Sequence, residues 1–334
     1  MRIEYPEAMP PEPFVAVAAD GYPVRGFAWR HRAPAADRPV TIVNCATSVR
    51  CSYYFRFAAY LFSHGSDVLV YDYRGIGESR PERLAGFHAT WLDWGRFDCE
   101  AVLQYALNAF PGQPLDLVAH SIGGFVVGLA PSNPQLRRVF SVGSQYAYWR
   151  DCGAAHRLGM LLKWYVAMPV LAHLFGYVPA RRLGWMEDTP KGVALSWSRS
   201  RRRFEDSYVR APLTEPPETR RELVERFARM TAPILAVGLS DDEFGTVDAV
   251  ERLLAYFTRS AVTHLRIAPR QIDAAEIGHF AFFHSRFAAT LWPLAQRWLQ
   301  TGELPHDAPG DVIRRPVSPT RAEGATRAAS NRRA

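Results

Sequence analysis

Short apolar runs alternate with helix-spaced apolar patterns through most of this chain. Phe14–Val17 and Val24–Trp29 flank Asp20-Gly21, which is a hairpin signal. Val40-Thr41-Ile42-Val43 reads as a buried strand, and a helical pattern follows from Tyr54 to Ser63, with Gly65 as its stop. Asp67 to Asp72 is the next strand, and it runs into the Gly-rich turn Tyr73-Arg74-Gly75-Ile76-Gly77-Glu78-Ser79. A helix from about Asp93 to Asn108 leads through Pro111-Gly112 into an apolar run at Leu115, Leu117 and Val118. That run breaks at Ala119-His120-Ser121-Ile122-Gly123-Gly124, and helical spacing resumes at Phe125. Val139 to Val142 is a further strand.

Strands alternating with helices predict an α/β architecture, with a mainly parallel central sheet and helices on both faces. From about Trp149 to Met230 the pattern changes, with no convincing strand and many Trp, Leu, Arg and Pro residues. The alternation returns with Ile234–Val237, a helix from about Val247 to Phe257, a strand near Val262–Ile267, and a last amphipathic helix from about Ser285 to Leu299. The expected organisation is therefore a core in two parts, 14–148 and 231–300. A helical insertion, 149–230, would lie over the strand ends as a lid. Beyond Thr301 the chain is rich in Pro, Ala, Arg and Gly, and 301–334 is expected to be a disordered tail.

In such sheets chemistry gathers beyond the carboxyl ends of the strands. The stretch Ala119-His120-Ser121-Ile122-Gly123 falls at such an end. It has the form small-x-Ser-x-Gly, in which a sharp strand-to-helix turn lifts a serine hydroxyl clear of the backbone. Close neighbours leave room only for small residues there. A serine needs a base, usually a histidine that a carboxylate orients. With a nucleophile of this kind, the acid follows a later strand and the histidine follows the last. Ser240-Asp241-Asp242-Glu243-Phe244 ends the strand Ile234–Val237 and offers three carboxylates. Glu276-Ile277-Gly278-His279-Phe280 follows the last strand and offers His279, with His284 as the weaker candidate. His120 sits beside the serine, but on a sharp turn neighbouring side chains diverge, so it is expected to pack or bond locally. Backbone N–H groups of Ile122 and Thr47 are the expected oxyanion donors.

Composition narrows the function without deciding it. The 334 residues are 48% hydrophobic and 22% charged, with a net charge of +7 and a pI near 9.4. No nucleic-acid-binding motif accompanies that modest excess. The N-terminus lacks an apolar core of signal-peptide type. No apolar run approaches the roughly 20 residues of a membrane span. The most apolar region, Leu158–Val178, is interrupted by Lys163, Pro169, His173 and Gly176. A cytoplasmic protein is expected. Cys45, Cys51, Cys99 and Cys152 have no metal-ligand spacing and are expected to be free thiols. Arg199, Arg201, Arg202 and Arg203 read as a solvated helix face. Trp164, Trp185 and Trp197 read as the core of the insertion.

Four motifs together resemble the α/β-hydrolase superfamily: AHSIGG at 119–124, DYRGIGES at 72–79, SDDEF at 240–244 and IGHFAFF at 277–283. The resemblance spans about Val15 to Gln300. It is nearest the bacterial group beside the serine aminopeptidase S33 and monoacylglycerol-lipase-like branch. It implies Ser121 as nucleophile, His279 as base and an aspartate as orienting acid, with no cofactor and no metal. The family form Asp-x-(bulky apolar) selects Asp242, with Asp241 as the alternative. Two departures stand out: Ala119 for the first Gly of the elbow, and Cys45-Ala46 for the usual His-Gly of the oxyanion loop. The expected function is hydrolysis of a small-molecule carboxylic ester or thioester with an apolar acyl group. The alternatives are acyl transfer by the same residues, and a catalytically silent ligand-binding protein.

Overall fold

A computed structural model describes residues 10–33, 35–153 and 155–314. The strands, in chain order, are β1 (Glu12–Val17), β2 (Pro23–Trp29), β3 (Val40–Asn44), β4 (Asp67–Tyr71), β5 (Leu115–His120), β6 (Leu136–Val142), β7 (Tyr177–Val178), β8 (Thr189–Pro190), β9 (Ile234–Leu239), β10 (Val262–Ile267) and β11 (Asp311–Arg314). Among the described residues, nine of these form one sheet in the order β1-β2-β4-β3-β5-β6-β9-β10-β11. The run from β4 through β10 is parallel. The β1-β2 hairpin joins β4 antiparallel at one edge, and β11 pairs antiparallel with β10 at the other. Every residue of β3, β4, β5 and β9 is buried. Helices cover both faces of a parallel sheet, so its central strands are apolar on both sides rather than alternating.

Each crossover carries a helix. Phe55–Ser63 follows β3, and Gly123–Leu129 follows β5. Between β4 and β5 the chain winds as α-helix at Trp91–Asp93, π-helix at Trp94–Cys99 and α-helix again at Glu100–Ala109. Thr90 and Asp93 form a reciprocal capping box that fixes the start of that helix. The DYRGIGES turn after β4 is a structural tie. Asp72 accepts N–H bonds from Cys51 and Glu78 at 2.7 and 2.9 Å, joining this turn to the loop after β3. Asp98 accepts the backbone N–H and the Nε–H of Arg74 at 2.8 and 2.7 Å.

Four expectations are corrected. The segment 149–230 does contain strands, since β7 and β8 pair as a two-stranded antiparallel unit among its helices. The last helix runs Trp292–Thr301, and Ser285–Phe287 is only a 3-10 turn. Pro293 stands in the first turn of that helix, where a residue without an N–H costs least, and it marks the true start. The tail is ordered as far as β11, and residues 315–334 lie outside the described residues. The arginine run is not a helix face, because the helix Lys191–Ser198 ends before it and Arg201–Arg203 lie exposed in a loop.

One more feature of 149–230 departs from the sequence reading. Lys163, Pro169 and His173 do not break the helix Arg157–Phe175, which is the single helix among the described residues long and apolar enough to cross a membrane. It contains a π-turn at Lys163–Ala167, and Pro169 falls in the first turn of the α-helical stretch Met168–Phe175 that follows. Trp164 and Trp197 are buried, and Trp185 is half-buried. All four cysteines are free and buried.

Candidate active site

The candidate residues sit in the loops beyond the carboxyl ends of β5, β9 and β10. Ser121 directly follows β5 and has φ +55°, in the left-handed region that non-glycine residues rarely occupy. Strain of this kind persists only where surrounding contacts enforce it. Here Ser121 donates its backbone N–H to Val142 O at 3.0 Å, and its carbonyl accepts from Gly124 and Gln145 at 3.3 Å. Among the described residues the hydrogen bonds at Ser121 are those of its backbone, which leaves the hydroxyl uncommitted. Two residues on, a Cβ at Gly123 would sit 2.5 Å from the backbone oxygen of Asn44, so only glycine fits. Ala119 is fully buried in β5, paired with Asn44 and Ser141, and its methyl is accommodated.

The acid loop after β9 separates its two aspartates. Asp242 Oδ2 lies 2.7 Å from His279 Nδ1. Its other oxygen accepts the N–H groups of Phe244 and Gly245, both at 2.8 Å. Burial acts to raise the Asp242 carboxyl, but the adjacent His279, through charge and hydrogen bond, and the two N–H donors outweigh it and hold the pKa below the usual value. Asp241 faces elsewhere and accepts the backbone N–H groups of Ile277 and Gly278 at 2.8 and 2.9 Å. It thereby fastens the loop that carries His279. Glu243 lies 3.1 Å from exposed His156.

His279 is 8% exposed, Ser121 7% and Asp242 4%. With Nδ1 held by the carboxylate, Nε2 is the nitrogen left to take a proton. The His279 ring lies 5.0 Å from that of Phe244 and 4.9 Å, edge-on, from that of Phe280. Trp164, on the inner face of helix Arg157–Phe175, stacks on Phe244 at 6.0 Å. His284 is exposed and keeps company with Tyr53 rather than with the buried pair.

Two residues beside the site do more than the sequence reading indicated. His120 is packed, as expected, against Tyr54, Phe280 and Phe283, but its hydrogen bonds are not local. Its Nδ1 accepts from the Tyr54 hydroxyl at 2.7 Å, and its Nε2 donates to the carbonyl of His279 at 2.9 Å. Tyr54 in turn accepts the N–H of Ala46 at 2.9 Å. One buried chain of bonds therefore joins the loop after β3, the serine turn and the histidine loop. Gly143 was missed. It follows β6 with φ +55°, and a Cβ there would lie 2.7 Å from Asp242 Oδ2 and 3.2 Å from His279 Nδ1. The only sequence sign was a glycine directly after a predicted strand.

The backbone N–H groups of Thr47 and Ile122 have no protein acceptor among the described residues. Ser48, beside Thr47, has φ +56°. It is tied to the segment 149–230, since its hydroxyl lies 2.6 Å from that of Thr189 and its carbonyl accepts the N–H of Glu187 at 3.0 Å. Among the described residues no group of three or more His, Cys, Asp or Glu side chains is arranged to hold a metal ion.

The sequence model of the serine aminopeptidase S33 family matches residues 46–256. The chain belongs to this family. Its fold is that of the α/β hydrolases. Among solved structures, this S33-family chain is similar to an esterase of Pyrococcus furiosus, at 14% identity over 87% of this chain and 91% of that one, with a TM-score of 0.53. It is similar to a monoacylglycerol lipase of Paleococcus ferrophilus, at 13% identity over 83% and 99%, with a TM-score of 0.51. The esterase Est1E of Butyrivibrio proteoclasticus, solved with ferulic acid bound, matches at 12% identity over 86% and 99%, with a TM-score of 0.52. At such identities these likenesses speak for the fold. No curated protein matches the chain by sequence.

Proposed function

We propose that this chain is a serine hydrolase that cleaves carboxylic esters or thioesters through an acyl-enzyme. The observation that carries the reading is the buried Asp242–His279 pair at 2.7 Å, together with a serine held left-handed at the neighbouring strand end. His279 Nε2 takes the Ser121 proton as the hydroxyl oxygen attacks the substrate carbonyl. The resulting oxyanion rests on the N–H groups of Thr47 and Ile122, each worth about 3 kcal/mol of transition-state stabilisation. His279 then gives its proton to the departing alcohol or thiol. A water molecule, deprotonated by the same nitrogen, attacks the acyl-enzyme, and collapse of the second oxyanion returns the serine. Asp242 holds the imidazole in the tautomer this cycle needs and stabilises the imidazolium between steps.

The aromatic surround of Phe244, Trp164 and Phe280 favours an apolar acyl group. The names of the similar structures, esterases and a monoacylglycerol lipase, agree with that class of substrate. The insertion 149–230 acts as a lid, strapped to the oxyanion loop at Ser48. A fluorophosphonate probe tests the reading directly. Wild type should label and Ser121→Ala should not. Failure of wild type to label, or equal labelling of the variant, would end it. A panel of p-nitrophenyl esters of rising chain length then defines the acyl preference.

A further inference from the structure

Helix Arg157–Phe175 is apolar all round but buried on one side only. Met160, Trp164, Met168 and Ala172 turn inward and are buried. Leu158, Leu162, Val166, Val170 and Leu174 recur every fourth residue on the other side, and all are exposed, Leu158 to 70% and Leu174 to 73%. In a regular α-helix such spacing drifts around the axis with each turn. The π-turn at Lys163–Ala167 winds less per residue and takes back part of that drift, so the row stays on one face. Isolated surface leucines need no explanation, but a contiguous stripe of this length marks an interaction surface.

Charge indicates what covers it. No Asp or Glu occurs between Asp151 and Glu187, whereas that stretch carries Arg157, Lys163, Arg181 and Arg182. Arg157, Arg181 and Arg182 are exposed. Arg181 and Arg182 lie in the 3-10 turn Ala180–Leu183, which follows β7, beside exposed Leu183. The acids that come next, Glu187 and Asp188, are paired with Arg50 and Arg80, with Arg181 3.9 Å from Glu187. The rim therefore stays basic on balance, and an apolar face so bordered matches a bilayer surface with anionic headgroups. The inner face is committed to the protein, so the helix cannot span. It can only lie in the interface, stripe downward. We propose that this stripe docks the chain on anionic lipid membranes. Trp164 belongs to the same helix and stacks on Phe244, which borders His279. The docked helix thus sets its inner face over the site and its outer face in the lipid, where apolar esters are dissolved.

The test is co-sedimentation of the full chain with phosphatidylcholine vesicles, with and without phosphatidylglycerol. Wild type should bind the phosphatidylglycerol vesicles, and less well at high salt. The triple variant Leu162→Ser, Val166→Ser, Val170→Ser should bind at least about a hundredfold more weakly, with an unchanged melting temperature and unchanged turnover of a soluble short-chain ester. Arg181→Gln with Arg182→Gln should lose the preference for phosphatidylglycerol while keeping the fold. Absence of wild-type binding overturns the proposal, as does equal binding by the triple variant. So does a wild-type dimer that the triple variant converts to monomer without any vesicle binding, which would assign the stripe to a second copy. The binding readout needs no turnover. A chain that binds vesicles yet fails to label at Ser121 would therefore retire the hydrolase reading and leave this one standing.

Discussion

His120 Nε2 lies 2.9 Å from the carbonyl oxygen of His279, a residue 159 positions away in the chain. A carbonyl can only accept, so Nε2 carries a proton, and in the neutral imidazole Nδ1 accepts from the Tyr54 hydroxyl at 2.7 Å. Complete burial, reinforced by the neighbouring His279, pushes the His120 pKa down to about 3.

That shift makes stability depend on pH. In the unfolded chain His120 takes up a proton below about pH 6.5, whereas in the fold it stays neutral until about pH 3. The stability it contributes is therefore complete above pH 6.5 and lost progressively as pH falls toward 3. At pH 5 the loss is about 2 kcal/mol. His120→Gln keeps a donor for the His279 carbonyl but cannot be protonated. Urea unfolding from pH 7 to 5 should give a flatter stability profile for the variant than for wild type. Parallel profiles would remove His120 as the source.

The two neighbouring aspartates should respond differently. Asp242→Asn removes the charge beside His279 Nδ1 and favours the wrong tautomer, and kcat should fall at least about a hundredfold. Asp241→Asn keeps an oxygen that can accept from Ile277 and Gly278, so kcat should stay within about tenfold. Steady-state kinetics on a soluble ester decide the matter, and the opposite ranking would transfer the orienting role to Asp241.

Gly123→Ala should be costly although it adds one methyl. Its Cβ would meet the Asn44 carbonyl at 2.5 Å, and backbone cannot swing aside as a side chain can. Overpacking of this sort costs about 1–3 kcal/mol. Asn44 opens the loop that carries Thr47, so kcat should drop as well. Thermal melts and kinetics read both, and an unperturbed variant would contradict the close fit of helix against β3.

Thr189→Val tests the strap between the insertion and the oxyanion loop. It leaves the buried Ser48 hydroxyl without the 2.6 Å partner, at a cost of about 1–3 kcal/mol. If the strap positions Thr47, kcat should fall more than KM rises. A stability loss with unchanged kcat would make the contact purely structural.

Ser121 was legible because it lies directly after a strand whose apolar run is unmistakable, and His279 because it is a Gly-His in the loop beyond the last predicted strand, ahead of an aromatic cluster. The choice between Asp241 and Asp242 was not legible from pattern alone. Adjacent side chains on a turn point apart, and which one meets the histidine depends on the loop's path, here drawn in by the N–H groups of Phe244 and Gly245. The reach of His120 was invisible for another reason: its partners come from β-loops far apart in sequence. The 3-10 turns between His279 and Trp292 kept an apolar rhythm close to a helix, which is why Pro293 was the better guide to where the helix begins.

β11 was hidden in a polar, proline-rich stretch, yet it covers the outer edge of β10, with Leu265 opposite Val312 and Arg266 opposite Asp311. Arg314 also reaches Glu251, the same carboxylate that holds buried His264. Shortening the chain at Thr301, an obvious choice for anyone trimming it for crystals, would bare a row of unpaired N–H and C=O groups along β10. An open edge of that kind recruits strands from other molecules. The trimmed protein should form soluble oligomers or precipitate where the untrimmed one does not, so these few residues serve as the sheet's guard against self-association.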